Sequence, residues 1–315
     1  MANPGSEEAE GAKIMRLPTP QPPFTLAVCA LFHNEAPNLR EWVLYHYLVG
    51  FQHFFMYDNN STDGPLSVLQ PLIDRGLVTY IFWPYTQQKY VAQIGQIRHC
   101  FNTSKLPSVA KWVGGFDIDE YVVVLPQRPS IKPFLGSEPF VLHRLLSHYE
   151  SQNEGALVLD RVVFTSNGHR TRPHGLTISE YTQRMVDVYP TSAAGKVIVL
   201  SQAMAIMNTF HTVSLKANWR IVNADHRPWV EHSRYRTWEP IRMAHFQQRS
   251  YEECIAKFSS GRLSPDHWRM LHGKTLCDRH MEGYPGFDKT STTVDKFLPN
   301  MGFPEMITDM ILTMN

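Results

Sequence analysis

Residues 24–64 read FTLAVCALFHNEAPNLREWVLYHYLVGFQHFFMYDNNSTDG. The first nine form a short, continuous apolar run behind a proline-rich segment, the pattern of a strand buried on both faces. The polar triplet His33-Asn34-Glu35 interrupts it. Leu39, Trp42, Val43 and Tyr47 then recur at helical spacing, and Gly50 stands where a helix would close. HFFMYD, residues 53–58, returns to strand and breaks into the polar turn DNNSTDG, where Ser61 or Thr62 is placed to start a second helix. Strand, helix and strand in this order predict a parallel βαβ unit.

The alternation continues. SVLQPLIDRG reads as the second helix, VTYIFWP (78–84) as a third strand, QIGQIRHCFNTS as a third helix and SVAKWVGGFDIDEYVVV as a returning strand. This predicts an α/β fold, a largely parallel, Rossmann-like central sheet with helices on both faces. In such sheets ligands bind at the carboxyl ends of the strands, and HNE, DNNSTD and DIDE all fall there. Beyond residue 130 the periods loosen. LVLDRVVF (157–164), KVIVLS and AIMNTFHTVSL read as short strands and SNGHRTRPHG as a loop. SYEECIAKFSSG (250–261) reads as a helix opened by a Ser250–Glu253 capping box.

Composition bounds the function. A chain of 315 residues suits one large domain or two small ones, and 43% hydrophobic residues can fill a core. A net charge of +1 gives no general field for nucleic acid or anionic membranes, so an anionic ligand needs a local site. The four cysteines form no C-x-x-C pair, which leaves a zinc ribbon or thioredoxin reading without support; Cys29 inside AVCALF is expected to be a buried thiol, and the count is too low for a disulfide scaffold but leaves one or two bridges open. The N-terminal MANPGSEEAEGAKIMRLPTPQPP has no signal-peptide core, and no apolar run reaches membrane-spanning length. Residues 1–24 read as a disordered tail. The sequons at Asn59, Asn60 and Asn102 are too common as triplets to argue for secretion.

GGFDIDEYVVV (114–124) sets Asp117, Asp119 and Glu120 inside an apolar run. Buried carboxylates are costly unless paired or bound to metal. Asp and Glu oxygens suit Mg²⁺ or Mn²⁺, which also bridge phosphate oxygens. Asp117 and Asp119 point the same way if the strand persists, or converge across a tight turn. Either geometry presents both to one cation, and Glu120 then faces an Arg or a helix N-terminus.

FHNEAPNLREWVLYHYLVGFQHFFMYDNNSTD followed by KWVGGFDIDEYVVV resembles glycosyltransferase family 92. SNGHRTRPHGL, KVIVL and AHFQQRSYEECIAKFSSG resemble its later blocks more loosely, so that the likeness covers about residues 25–262. The resemblance implies a GT-A domain over 25–262, with 263–315 as a C-terminal extension packed on or flanking it. It implies a metal-dependent, inverting transfer from a UDP-sugar, with Mn²⁺ (or Mg²⁺) held by a D-x-D motif. Animal members are similar to β-galactosyltransferases acting on fucose of N-glycan cores, which implies UDP-galactose as donor and a glycan or glycoconjugate as acceptor. His33 departs from the family's more usual Lys. The membrane anchor of animal members is also missing, so a complete chain is expected in the cytoplasm and a piece of a longer one in the Golgi lumen.

On that pattern the site residues are as follows. Asn34 and Glu35 hold the uridine or ribose, against a plain helix cap. Asp58, Asn60 and Asp63 meet the base or ribose, against an Asx-turn. Gln93 and Gln96 share a helix face, and Arg98 reaches the diphosphate, against a solvated face. Asp117 and Asp119 hold the metal, and His211 or His245 completes its shell, since imidazole is an acceptable Mn²⁺ ligand. Glu180 and Asp225 are candidates for the base that takes the acceptor proton. Trp112 and the Trp219–Trp238 region suit sugar stacking or the core equally. Two other readings use the same carboxylates. A nucleotidyltransferase or another nucleotide-sugar enzyme should carry a glycine-rich loop after the first strand, where this chain has HNEAP. A sugar- or nucleotide-binding module that has lost catalysis is the other.

Overall fold

The computed structural model describes residues 24–84, 89–103, 106–125, 141–186, 195–230, 237–247, 249–259, 277 and 292–314. The expected tail, apart from its last residue, and residues 263–276 of the expected extension lie outside these.

The expected α/β class and largely parallel sheet are what the chain forms. Seven strands make the central sheet: β1 (Phe24–Phe32), β2 (His53–Asp58), β3 (Val78–Phe82), β4 (Ala110–Gly115), β6 (Glu154–Leu159), β9 (Lys196–Leu200) and β12 (Arg220–Val222). Their order is β12-β6-β9-β4-β1-β2-β3. Pairing is parallel from β4 through β1 and β2 to β3 and between β12 and β6, and only β9 runs antiparallel. The chain steps outward from β1 to β2 and β3, then returns to β4 on the other side of β1. The strand order therefore reverses between β1 and β4, and open α/β sheets bind their ligands at the carboxyl ends of the strands at such a point.

Alternate positions of β1 face opposite sides. Leu26, Val28, Ala30 and Phe32 join a core with α1 (Ala36–Val49) and α2 (Pro65–Asp74). Ala27 and Cys29 join a second core with Ile97 of α3 (Lys89–Ile97) and with Cys100 and Phe101 of the π-helical segment that continues it. A period of two with both faces covered explains the unbroken apolar run. Cys29 is buried, as expected, but it is disulfide-bonded to Cys100 rather than a thiol. The loose spacing of the four cysteines gave no pairing; the fold supplies it by laying α3 across β1. Gly50 closes α1 as expected, its N–H reaching the carbonyls of His46 and Tyr47. Ser61 and Thr62 do not open α2. That helix begins at Pro65 behind Gly64, which takes a left-handed φ of 74°.

Two runs expected as single strands are each divided between sheets at an acidic turn. The run from Ala110 to Val124 leaves the central sheet at Gly115, turns through Asp117–Asp119 and resumes as β5 (Glu120–Val124). The run 157–164 breaks at Asp160 between β6 and β7 (Arg161–Val163). There the Asp160 carboxylate accepts the Thr237 N–H at 2.9 Å and its carbonyl accepts that of Met243 at 3.0 Å. Apolar period carries no mark of such a change of partner. β5 and β7 flank β13 (Ile241–His245) in a second sheet, β5 antiparallel and β7 parallel to it. AIMNTFHTVSL is a hairpin of β10 (Met204–Met207) and β11 (Val213–Leu215), and β8 (Gln183–Met185) pairs with β14 (Thr292–Val294).

The outer edge of β5 is covered by α1. Trp42 Nε1 donates to the Glu120 carbonyl at 2.9 Å, Tyr45 Oη to the Val122 carbonyl at 2.9 Å, and the Val122 N–H to His46 Nε2 at 3.3 Å. Side chains on one helix face thus satisfy backbone groups that an edge strand would leave bare. This fixes where the acidic turn sits.

Candidate active site

The ends of β1 and β2 are tied together by their own polar residues. Asn34 N–H donates to Ser61 Oγ, Ser61 N–H to Asp58 Oδ1 and Thr62 N–H to Asn34 Oδ1 at 2.8–2.9 Å. Asp63 Oδ2 accepts the Ala36 N–H at 2.9 Å and so caps α1 from the next crossover. Asp58 also accepts from Tyr80 Oη, so both of its oxygens are engaged. Glu35 accepts from Asn38 at 2.6 Å and faces Arg249 at 3.4 Å, while Asn60 is exposed with a left-handed φ of 59°. These five residues are gathered at the carboxyl ends of β1 and β2, and the turn and cap roles are filled there.

The acidic turn parts its two aspartates. The strand does not persist, and Glu120 N–H closes the turn on the Asp117 carbonyl at 3.1 Å. Asp117, 31% exposed, bonds Lys196 at 2.8 Å, and Lys196 bonds Glu120 at 3.1 Å. Glu120 thus faces a lysine rather than an arginine or a helix end. Lys196 and Glu120 are buried, and the Lys196 ammonium lies 5.2 Å from the centre of the Phe210 ring. That ring packs so close on β4 that a Cβ at Gly115 would come within 2.2 Å of it, which accounts for a glycine in this strand. Burial alone would lower the Lys196 ammonium, but Asp117 and Glu120 hold it above its ordinary value.

Asp119 turns the other way and is buried. Its Oδ2 is bonded to Lys257 of α7 (Tyr251–Ser259). Its Oδ1 has no hydrogen-bond partner and stands 3.6 Å from His245 Nε2. Burial would raise this carboxyl, but Lys257, then His245 and Arg249, hold it well below the ordinary carboxylate range. Arg161 donates to His245 Nδ1 at 3.4 Å, a long contact. His211 lies by Lys196 instead. Its Nδ1 bonds the Gly195 carbonyl at 2.8 Å, and burial pushes its pKa down.

The donor chemistry suits a divalent cation. An orphaned buried carboxylate oxygen faces an imidazole nitrogen, and Mg²⁺-type sites take one or two protein ligands with the rest from phosphate and water. Among the described residues no three His, Cys, Asp or Glu side chains form a ligating group, and Asp117 does not join Asp119.

The loop expected at SNGHRTRPHG leads to α6 (Thr177–Glu180) and packs on both helices beside the turn. Arg172 reaches the Pro37 carbonyl and Asn38, Tyr181 Oη donates to Glu253, and the α6 N–H groups of Thr177 and Ile178 donate to buried Glu41. The Ser250–Glu253 capping box forms, with Glu253 N–H to Ser250 Oγ at 3.2 Å and Ser250 N–H to Glu253 Oε2 at 3.3 Å. Glu180 is half-buried against Gly175, and its carboxylate has no hydrogen-bond or ion-pair partner among the described residues. Asp225 stands after edge strand β12, its Oδ2 paired with Arg227 at 3.1 Å and its Oδ1 buried without a hydrogen bond. Gln93 is half-buried, Arg98 exposed, and Gln96 fully buried with both amide atoms unpartnered. Trp112 belongs to the core; Trp219 and Trp238 are partly buried against it. The reading of the sequence missed Lys196, Arg249 and Lys257. Their partners at the acidic turn and at Glu35 lie far along the chain, and spacing holds no trace of them.

Residues 23–272 match the family model for glycosyltransferase family 92. Relatives named glycosyltransferase family 92 proteins occur in Ricinus communis (29% identical, 78% of this chain), Oryza sativa subsp. japonica (29%, 68%) and Arabidopsis thaliana (28%, 71%). The matches span 41%, 34% and 37% of those relatives' own lengths. Among solved structures, a remote likeness is found to mannosyltransferase PcManGT from Pyrobaculum calidifontis in complex with GDP-Man and Mn²⁺. It has a TM-score of 0.38 and 12% identity, over 81% of this chain and 70% of that one. A second is to S. aureus TarS 1-349 in complex with UDP, with a TM-score of 0.36 and 10% identity, over 84% and 73%. With residues 23–272, most of its length, matched by the family model, the chain belongs to glycosyltransferase family 92.

Proposed function

We propose that the chain is the GT-A-type catalytic domain of a metal-dependent, inverting glycosyltransferase. It moves a sugar, galactose being the first candidate, from a UDP-sugar to a hydroxyl of a glycan or glycoconjugate. Family membership supports glycosyl transfer as the reaction class. The observation that carries the finer reading is Asp119 Oδ1, buried and without a hydrogen bond, facing His245 Nε2 at 3.6 Å where the strand order reverses.

Each residue then has a task. Asp119 and His245 would hold Mn²⁺ or Mg²⁺, which supplies charge neutralisation on the leaving nucleoside diphosphate. Lys196 locks Asp117 and Glu120 so that the turn keeps its shape. The locked ends of β1 and β2 form the floor for the nucleoside, with exposed Asn60 at the rim. Glu180 takes the acceptor proton as the new bond to the sugar carbon forms and the bond to the diphosphate breaks. Its carboxylate has no hydrogen-bond or ion-pair partner among the described residues and stands beside the α1–α7 helices that flank the turn, whereas Asp225 lies after edge strand β12 with one oxygen on Arg227, so Glu180 is favoured as the base. The pairing of all four cysteines supports an oxidising compartment, the secretory lumen, over the cytoplasm.

The test is calorimetric titration of UDP with Mn²⁺ and with EDTA, followed by transfer assays over a panel of UDP-sugars. Tight binding only with metal, lost in Asp119→Ala, supports the reading. A Glu180→Gln chain should bind UDP normally and transfer poorly. Binding indifferent to metal would overturn the metal assignment.

A further inference from the structure

We propose that Lys257 is an exchangeable cation of the donor site: it neutralises Asp119 while no metal is bound and passes to the donor's diphosphate when a divalent cation takes its place. This rests on the reading that Asp119 holds the metal.

The argument starts from what surrounds the carboxylate. Asp119 is buried, and of its two oxygens Lys257 holds Oδ2 while Oδ1 has no hydrogen bond. A buried carboxylate needs a compensating charge at all times. His245 and Arg249 are enclosed, at 9% and 8% side-chain exposure, and the guanidinium of Arg249 also bonds Glu35 and the Ile118 carbonyl. Lys257 differs, with a third of its side chain open to solvent. Its ammonium sits at the end of a flexible four-carbon stem that reaches solvent, whereas the other two are held inside the core.

The backbone beneath it is fixed. The α7 helix is capped by Ser250 and Glu253, joined to Tyr181, and tied by Cys254 to Cys277 one turn before Lys257. Movement is therefore confined to the stem. A divalent cation on Oδ1 of the same carboxylate would bring like charges within a few ångströms of each other, which drives the ammonium off. The diphosphate of the donor, anionic and bound to that cation, offers the nearest landing place. Lys257 would then oppose metal binding to the empty protein and assist nucleotide binding to the loaded one.

Opposite signs on two ligands separate this device from a plain structural ion pair. The experiment titrates Mn²⁺ into the protein alone, reading free Mn²⁺ by its paramagnetic resonance, and then titrates UDP at saturating Mn²⁺ by calorimetry. Lys257→Met should bind Mn²⁺ more tightly and UDP more weakly, each by about tenfold, within the usual range for coupled sites. Lys257→Arg, which keeps the charge, should stay near the wild type for Mn²⁺, and thermal unfolding checks that both are folded. Equal Mn²⁺ affinity in wild type and Lys257→Met would overturn the exchange while leaving the metal reading intact. Weaker Mn²⁺ binding in Lys257→Met would also overturn it. Failure of the wild type to bind Mn²⁺ with or without UDP would overturn the metal reading, and the exchange with it.

Discussion

His46 occupies a position that only one protonation state can fill. Its Nδ1 donates to the Trp42 carbonyl at 2.8 Å and its Nε2 accepts the Val122 N–H at 3.3 Å, which requires a neutral ring. Burial pushes its pKa down to about 3, and burial likewise pushes His53 down to about 4. For a depressed histidine the sign is fixed. Its contribution is fully present above the unfolded value of 6.5 and is lost as pH falls from there towards the folded value. Stability should therefore decline below pH 6.5, by up to about 1.4 kcal/mol per pH unit for each of the two. Glu41, raised by burial, works in the opposite sense above 4.5. Urea unfolding from pH 7.5 to 5 measures the slope. His46→Gln, whose amide oxygen can still accept from Val122, should flatten it, and an unchanged slope would mean that His46 stays neutral in both states. At this scale the sequence was legible where chemistry clashed with its setting. Acids in an apolar run marked the turn, and Asn34, Glu35, Asp58 and Asp63 were marked by their place at strand ends. Lys196 and Lys257 were not legible, because their partners lie 79 and 138 residues away.

Elements were read well where one period ran from end to end. The run β1–α1–β2–α2–β3 came out in order because each strand is a short, mainly apolar run and turn residues separate it from the helices. The reading failed where a run kept its period but changed sheet, as at Asp117–Asp119 and Asp160, since alternation records burial and not the partner. α7 was read from its capping box, but its tether was not. Cys254 and Cys277 have Cα atoms 5.9 Å apart and are separated by 23 residues. Closing a loop of that size should stabilise the chain by about 3 kcal/mol. Cys254→Ser should lower the urea midpoint and raise the m-value, because the unfolded chain loses its cross-link and exposes more surface. Thiol titration of the unreduced, denatured chain should find no free thiol, since all four cysteines are paired. A full count of four thiols in protein purified without reductant would remove the disulfides and the argument for an oxidising compartment.

At the scale of the whole molecule, the family match ends at residue 272, yet the packing does not. Residues beyond it return to the centre: Leu298, Met301, Phe303 and Ile307 are buried in the same core as α1 and the second sheet. Phe303, at the head of α8 (Phe303–Met314), meets the Tyr45 ring edge-on at 5.7 Å. Tyr45 in turn packs on Tyr121 and holds the Val122 carbonyl, so the last helix braces α1, α1 braces β5, and β5 starts at the acidic turn. Spacing alone showed no period in this segment, because only two of its helix's residues are buried. A chain ended at Gly302 loses the burial of Phe303 and Ile307, worth about 3–6 kcal/mol together, out of the 5–15 kcal/mol that a domain commonly has. It should unfold at distinctly lower urea, and any folded fraction should bind UDP and Mn²⁺ more weakly than the full chain. Lower stability with undiminished affinity would show that α8 supports the core but does not reach the turn. Unchanged stability would mean that α8 is an appendage and that α1 needs no brace beyond the family match.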